Sequence, residues 1–248
     1  MEENWVKPFY KRQFELYSPS HKISESDMSL SAEIIEQVGK PFETILELGA
    51  GNGRLARALA EFNKVITTIE LVPEIVEFAK QSYSDKVNSL CGSFYTIELA
   101  EKFDVILYID GFGIGTDKEQ IQLLKRIYNW LADGGIGLID IYQPKYWKKV
   151  NGIQMSPDSR LIVLREYGYD EQTNRMTDTL WKRHSPEDKI VQSLACYTPE
   201  EIVLLCQEAN LEILEIYPGG AMDYDKWVYQ ENTTIDECLT YRIKIRKK

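Results

Sequence analysis

The residues of this chain whose types and spacing point most directly to chemistry are Glu47, Gly49, Gly51, Gly53 and Glu70. The run Ile45-Leu46-Glu47-Leu48-Gly49-Ala50-Gly51-Asn52-Gly53-Arg54 passes from an apolar strand pattern through a glycine-rich turn into a helical pattern. Glycines in such a turn permit positive φ and let a ligand touch the backbone, and the first N–H groups of the following helix have no partner within it. Glu47, two positions before the first glycine, is placed to meet the amino group of an amino-acid-like ligand. The spacing is G-x-G-x-G, not the G-x-G-x-x-G of dinucleotide folds, whose third glycine fits helix to strand. Glu70 stands at the end of the next strand pattern, about twenty residues beyond the turn, where an acid can accept hydrogen bonds from both ribose hydroxyls.

The elements that must position these residues follow from the hydrophobic pattern. Between Thr44 and Ile141 short apolar runs alternate with helical periodicity, the signature of βαβ units building a parallel sheet. The pattern predicts strands at Thr44 to Leu48, Val65 to Glu70, Val87 to Cys91, Val105 to Ile109 and Ile136 to Ile141. Helices are predicted at Arg54 to Phe62, Pro73 to Ser82 and Lys118 to Leu131, the last closed by Asp133-Gly134-Gly135 as a glycine stop. Ahead of this core lie the aromatics Trp5, Phe9, Tyr10, Phe14 and Tyr17 and a helical run from Ser31 to Val38, read together as a helical cap. After it, Arg160 to Tyr197 alternates polar and apolar residues, with turns expected at Asp170-Glu171, Asn174 and Ser185-Pro186, as antiparallel strands do. Thr198-Pro199-Glu200-Glu201 is a capping box with proline at the first helical position, opening a helix to Ala209. Two last strands are predicted at Leu211 to Tyr217 and Leu239 to Ile245. The reading is one domain, with a cap over 1–39, a core over 40–141, an insertion over 142–197 and a closing helix and strands over 198–248.

In order and spacing, the core resembles the class I S-adenosylmethionine-dependent methyltransferases of the small-molecule type. Glu47 to Gly53 resembles their first motif and Glu70 their ribose-binding acid. Lys102-Phe103-Asp104-Val105-Ile106-Leu107 resembles the strand-four motif, and Leu131-Ala132-Asp133-Gly134-Gly135 the turn opening strand five. The resemblance implies a Rossmann-like α/β three-layer sandwich with a seven-stranded, mostly parallel sheet whose last strand is antiparallel. It implies S-adenosyl-L-methionine as cofactor, with Gly49, Ala50, Gly51 and Gly53 near the methionine portion, Glu70 on the ribose and Leu71 on the adenine. Gly92, Ser93, Phe94, Ile109 and Asp110 would complete the cofactor site. Many relatives place an aspartate after strand three; here Cys91-Gly92-Ser93-Phe94 follows, so Ser93 or backbone must serve the adenine amino group.

On the acceptor side, Asp110 ends strand four before Gly111-Phe112-Gly113-Ile114-Gly115, read as a flexible loop at the carboxyl edge where such sites open. Asp110 is a candidate catalytic residue, accepting a hydrogen bond from an acceptor amine or hydroxyl, or else caps the turn. Phe112 is a candidate to stack on an acceptor ring. Asp140 can approach Asp110 as in a divalent-metal site, yet the adjacent ligand is replaced by Ile141 and Tyr142, so no metal is expected. His184 is the first candidate for a general base because an unperturbed imidazole titrates near neutrality; His21 is the second histidine. Tyr10, Tyr17, Tyr142 and Trp181 are substrate-binding candidates, with Tyr146 and Trp147 beside them, and together they predict an aromatic-walled pocket for a small molecule.

The 248 residues carry a formal charge of −10 and are 44% hydrophobic and 27% charged, a globular composition. The acidic balance excludes nucleic acid as a partner, since such binding draws on Lys and Arg meeting phosphates. The four cysteines form no C-x-x-C pair, no stretch reaches a membrane span, and the cytoplasm is the expected location for a monomer or homodimer. The function expected is methyl transfer to nitrogen or oxygen of a small organic acceptor. The alternatives are a protein or peptide N-methyltransferase, a nucleotide-linked dehydrogenase and a non-catalytic cofactor-binding scaffold.

Overall fold

The computed structural model describes residues 5–17, 20–156 and 162–248. Residues 1–4 of the predicted cap and Arg160, where the predicted alternating stretch begins, lie outside the described residues. In chain order the elements are α1 (Val6–Tyr17), α2 (Glu25–Val38), β1 (Thr44–Leu48), α3 (Arg54–Glu61), β2 (Val65–Glu70), α4 (Pro73–Lys80) and β3 (Val87–Cys91). They continue with β4 (Phe103–Tyr108), α5 (Asp117–Trp130), β5 (Leu131–Tyr142), α6 (Pro144–Lys149), β6 (Gln154–Met155), β7 (Val163–Asp170), β8 (Arg175–Lys182) and β9 (Ser185–Ala195). The remainder is α7 (Pro199–Glu208), β10 (Leu211–Pro218), β11 (Ala221–Asp223), β12 (Val228–Gln230) and β13 (Thr240–Lys247).

Seven strands form the main sheet in the order β10-β13-β5-β4-β1-β2-β3. β1 to β5 pair in parallel, and β13 enters antiparallel between β5 and β10. Successive side chains of a strand face opposite ways, so both faces of this sheet are apolar. Leu46, Leu48, Ile106, Tyr108, Ile139 and Ile141 pack with residues of α5 and α7. Ile45, Val105, Leu107 and Leu138 pack on the opposite face with residues of α2 and α3. The four-stranded antiparallel sheet β6-β7-β8-β9 is the insertion after strand five, and its apolar face joins α1 and α6 in further clusters.

Four local expectations need correction. The glycines after α5 are no helix stop: α5 ends at Trp130, β5 begins at once, and Ala132 to Gly135 are looped out between the pairs Phe103↔Leu131 and Val105↔Ile136. Gly134, at φ 73°, makes that loop possible. α2 starts a turn and a half earlier than Ser31, because Ser24 and Asp27 form a capping box that the polar first turn hides from a periodicity reading. The second insertion turn is Arg183-His184, closed by the pair Lys182↔Ser185; Pro186 lies inside β9, an edge strand where a missing N–H is tolerated. The loop after β4 is pinned, not flexible. Gly113 O accepts from the Ala195 N–H at 2.9 Å, and Arg175 donates to Gly115 O at 2.7 Å and to Gly113 O at 3.2 Å.

Candidate functional site

The first half of the site is the turn between β1 and α3. Gly49, Gly51 and Gly53 have φ of 66°, 54° and 71°, the left-handed region that favours glycine. The turn is hooked to the next strand, with the N–H groups of Gly49 and Ala50 donating to Ile69 O at 2.9 and 3.2 Å. A Cβ on Gly51 would meet no atom within 4 Å, so the backbone here faces open space that a ligand can fill. Glu47 is 5% exposed, and its Oε2 is buried without a hydrogen-bond partner. Burial, and secondarily the charge of Glu70, pushes the Glu47 carboxyl up to about 8. An orphaned buried acid at this place fits the amino group of an amino-acid-like ligand. Glu70 is 8% exposed and accepts from the N–H groups of Gly51 and Val72, both at 2.9 Å. Burial raises its carboxyl, and those backbone donors oppose the rise.

The loops after β2 and β3 carry the residues expected on the adenine side. Leu71 and Phe94 are half-buried and pack with the Tyr10 and Tyr95 cluster, Phe94 lying 5.2 Å from the Tyr108 ring. The Gly92 N–H donates to Glu70 O at 2.9 Å, which holds this loop beside Glu70. Ser93 Oγ accepts from the Tyr95 N–H at 3.3 Å. Ile109 is half-buried at the end of β4.

The second half is a cavity of about 200 Å³ between the cap, the carboxyl ends of β4 and β5, and the insertion sheet. Tyr10 and Gln13 of α1, Asp110 and Tyr142 line it together with Arg165 and Tyr167 of β7, Met176 of β8, Gln192 of β9, Trp147 and Leu239. Asp110 sits in the left-handed region at φ 55°. Asp110 is exposed, and its side chain lines the cavity. The Tyr142 hydroxyl donates to Asp110 Oδ1 at 2.5 Å. Burial raises the Asp110 carboxyl, as do the charges of Asp140 and Asp178, against the hydrogen bond from Tyr142 and the charge of Arg165. The Tyr10 hydroxyl feels the charges of both Asp110 and Glu70, so the two halves of the site adjoin across it.

Tyr10, Tyr142 and Asp110 are thus brought together, while other candidates are not. His184 is exposed in the β8–β9 turn and lines no part of the cavity, so the structure withdraws it as the base. Phe112 is fully buried between the Tyr108 and Tyr197 rings and has no face for an acceptor. Trp181 is buried under the Lys189 ammonium, 4.4 Å from its ring centre, also outside the lining. Tyr17 lies within electrostatic reach of Arg165 and Asp178 without lining the cavity. His21 is a structural peg, stacked 3.9 Å from Phe78 with Nδ1 3.0 Å from Ser82 Oγ. Asp140 is committed to Arg242 by two hydrogen bonds of 2.7 and 3.2 Å, and among the described residues no three acids, histidines or cysteines converge as metal ligands. Gln13, Arg165, Tyr167, Met176 and Gln192 were missed. They lie on α1 and on three different strands of the insertion, and no local motif joins them.

Residues 45–135 match the family model of the methyltransferase domain, a span from the glycine turn to the loop opening β5. This stretch is a methyltransferase domain, and the chain as a whole has the fold of the class I S-adenosylmethionine-dependent methyltransferases. Its fold is similar to the CcbJ methyltransferase from Streptomyces caelestis, at a TM-score of 0.76 and 16% identity over 96% of this chain and 98% of that one. It is also similar to CalS10 with S-adenosylmethionine bound, an amino pentose methyltransferase from Micromonospora echinaspora, at a TM-score of 0.67 and 16% identity over 100% of both chains. A curated relative, malonyl-[acyl-carrier protein] O-methyltransferase from Anoxybacillus flavithermus, is 28% identical over 100 residues, 39% of each chain. The chain therefore spans about two-fifths of the length of that relative. S-Adenosylmethionine is the cofactor of the methyltransferase family, and the orphaned Glu47 oxygen and the open face of Gly51 fit its methionine portion. No helix among the described residues is long and apolar enough to cross a membrane.

Proposed function

We propose that the chain transfers a methyl group from S-adenosylmethionine to the nitrogen of a compact amine. The observation that carries this reading is Asp110, a carboxylate open to a walled cavity on the far side of Tyr10 from the glycine turn. The cavity is smaller than the roughly 300–1,000 Å³ usual for drug-sized ligands, which suits a single ring better than a peptide. Its charged lining residues are Asp110 and Arg165, and Arg165 is already neutralised by the buried Asp178 behind it, a balance that favours a cationic acceptor over an anionic one. The similarity to an amino pentose methyltransferase supports the same class.

When bound, the cofactor supplies a methyl carbon on a sulfonium, and the protein must supply an aligned, unprotonated nucleophile. Tyr142 holds Asp110 through Oδ1, which leaves Oδ2 to face the acceptor. An amine reaches the cavity as an ammonium. Asp110 Oδ2 draws it in, and because burial raises its carboxyl, accepts one N–H proton more readily than a surface aspartate does. Tyr10 and Trp147 exclude water around the exposed lone pair.

Calorimetry tests the cofactor half: S-adenosylmethionine and S-adenosylhomocysteine should bind at on the order of micromolar concentration, and NAD should not. A screen of small amines and alcohols with methyl-labelled cofactor tests the acceptor half, and chelator should leave turnover intact. Binding without turnover of any acceptor would favour the scaffold reading. Turnover of alcohols alone would move the reaction to oxygen.

Cofactor binding should also release protons. Glu47 is largely protonated below about 8 in the free protein, and the cofactor ammonium beside it favours the carboxylate. Its raised value means that stability falls as pH climbs from the ordinary 4.5 through about 8, and the ammonium restores what is lost. Titrations near pH 7 in buffers of different ionisation enthalpy should show net proton release in the native protein and none in Glu47→Gln. Equal release in both would place the titrating group elsewhere.

A further inference from the structure

The reaction above leaves unused the part of the cavity that the insertion lines. There Arg165 and Asp178, on neighbouring strands of the insertion, form a two-pronged ion pair: Nε donates to Oδ1 at 2.8 Å and Nη2 to Oδ2 at 2.6 Å. Asp178 is fully buried, and Gln192 Nε2 reaches its Oδ2 at 3.4 Å. The guanidinium lies over the Tyr167 ring, 4.8 Å from its centre, so one edge and one face are both fixed. Nη1 remains. No described residue accepts from it, and the Arg165 side chain, 26% exposed, lines the cavity.

A buried ion pair is a poor device for stability alone, because desolvation of the two charges offsets most of their attraction. It is a good device for presenting a rigid donor. We infer that Arg165 Nη1 is a specificity-determining subsite that receives a neutral oxygen of the acceptor, a hydroxyl or carbonyl, at the end of the molecule remote from the methylated nitrogen. Asp178 already neutralises the guanidinium, and with Asp110 in the same cavity an acceptor carboxylate would meet two negative charges against one positive. A hydroxyl or carbonyl satisfies Nη1 without that repulsion. The acceptor class is therefore an amine whose oxygen function lies across the ring from it. The inference rests on the amine reading and adds a second point of recognition to it.

The test uses cyclohexylamine and the positional isomers of aminocyclohexanol as probes, with binding measured by calorimetry in the presence of S-adenosylhomocysteine. The native protein should bind at least one aminocyclohexanol about tenfold or more tighter than cyclohexylamine, as a hydrogen bond to a charged donor gives. Arg165→Met alone would strand the buried Asp178 charge, so the decisive variant replaces both partners, Arg165→Met with Asp178→Leu. It should bind cyclohexylamine and S-adenosylhomocysteine as the native protein does and lose the preference for the hydroxyl. Arg165→Lys, which keeps the charge but not the two-pronged geometry, should retain part of it. The inference is overturned if the native protein shows no preference among these probes, if it binds none of them, or if the preference survives in the double variant. Should the double variant fail to bind S-adenosylhomocysteine, Arg165→Lys decides, and an unchanged preference there also overturns the subsite. Failure of the native protein to bind S-adenosylhomocysteine would instead remove the methyltransfer reading beneath it.

Discussion

Asp110→Asn should lower kcat/KM for the acceptor by about 10²- to 10⁴-fold, the range of a positioned proton acceptor, and leave the affinity for S-adenosylhomocysteine unchanged. The change is well chosen for the backbone, since φ at this position is 55° and asparagine tolerates the left-handed region almost as well as aspartate. What it removes is the negative charge that faces the cavity and the capacity to take a proton. The pH profile gives the finer reading. Burial raises the Asp110 carboxyl, so activity should rise with pH as that group ionises. The Tyr142 hydrogen bond opposes the rise, so Tyr142→Phe should shift the acid limb to higher pH while the plateau changes less. Native kcat/KM in Asp110→Asn would mean that the carboxylate only closes the end of β4.

The second large effect is expected at Glu70. Glu70→Ala should weaken S-adenosylmethionine binding by about 1–3 kcal/mol, the worth of hydrogen bonds to a charged acceptor, which is roughly a factor of 5 to 150 in Kd. The structure adds a second cause to the loss of ribose contacts. Glu70 also accepts from the Gly51 and Val72 N–H groups, so its removal unhooks the glycine turn from the end of β2. Glu70→Gln separates the two, because its amide oxygen can keep one backbone donor while the charge is gone. Calorimetry on both variants, with thermal unfolding as the check on the fold, measures the difference. An unchanged Kd in Glu70→Ala would take Glu70 out of the ribose contact.

The parallel core and its glycine turn were legible because each signal there is local. A strand, a turn and a helix lie within ten residues of Glu47, and the apolar periodicity fixes which faces are covered. The insertion was legible as antiparallel strands covering the acceptor side, but not in the residues that line the cavity, which are Arg165, Tyr167, Met176 and Gln192 instead of Trp181 and His184. Arg165, Asp178 and Gln192 fall at inward positions of their strands, in line with Val163 and Tyr167, Met176 and Leu180, and Ile190 and Leu194, where the period-two pattern calls for apolar residues. The docking of α1 against β9 and of α6 against β7 covers the apolar residues of that face, among which the three polar side chains sit. His184 failed for another reason: its chemistry suited a base, but the turn expected at Ser185-Pro186 falls at Arg183-His184, which leaves the imidazole exposed and outside the cavity lining. Phe112 failed because glycines on both sides suggested an open loop, whereas Gly113 lies so close to β9 that a Cβ would sit 2.6 Å from Ala195 O. The looped-out residues before Ile136 escaped because a glycine pair after a helix looks the same whether it ends the helix or bulges the next strand.

The place of β13 in the sheet bears on how the chain assembles. β5 can pair with β4 as soon as both have been synthesised, but its other edge stays open until β13 inserts, after the whole insertion, α7 and β10 have been made. During that interval Asp140 has no counter-ion, since Arg242, which closes over it with two hydrogen bonds, arrives on β13 itself. The pairing of β5 with β13 spans about a hundred residues, and contacts of that separation form slowly because the chain entropy is lost before the contact repays it. Completion of the sheet and neutralisation of its buried acid are therefore one late event in folding, and an unpaired β5 edge is the surface most in need of protection on a nascent chain.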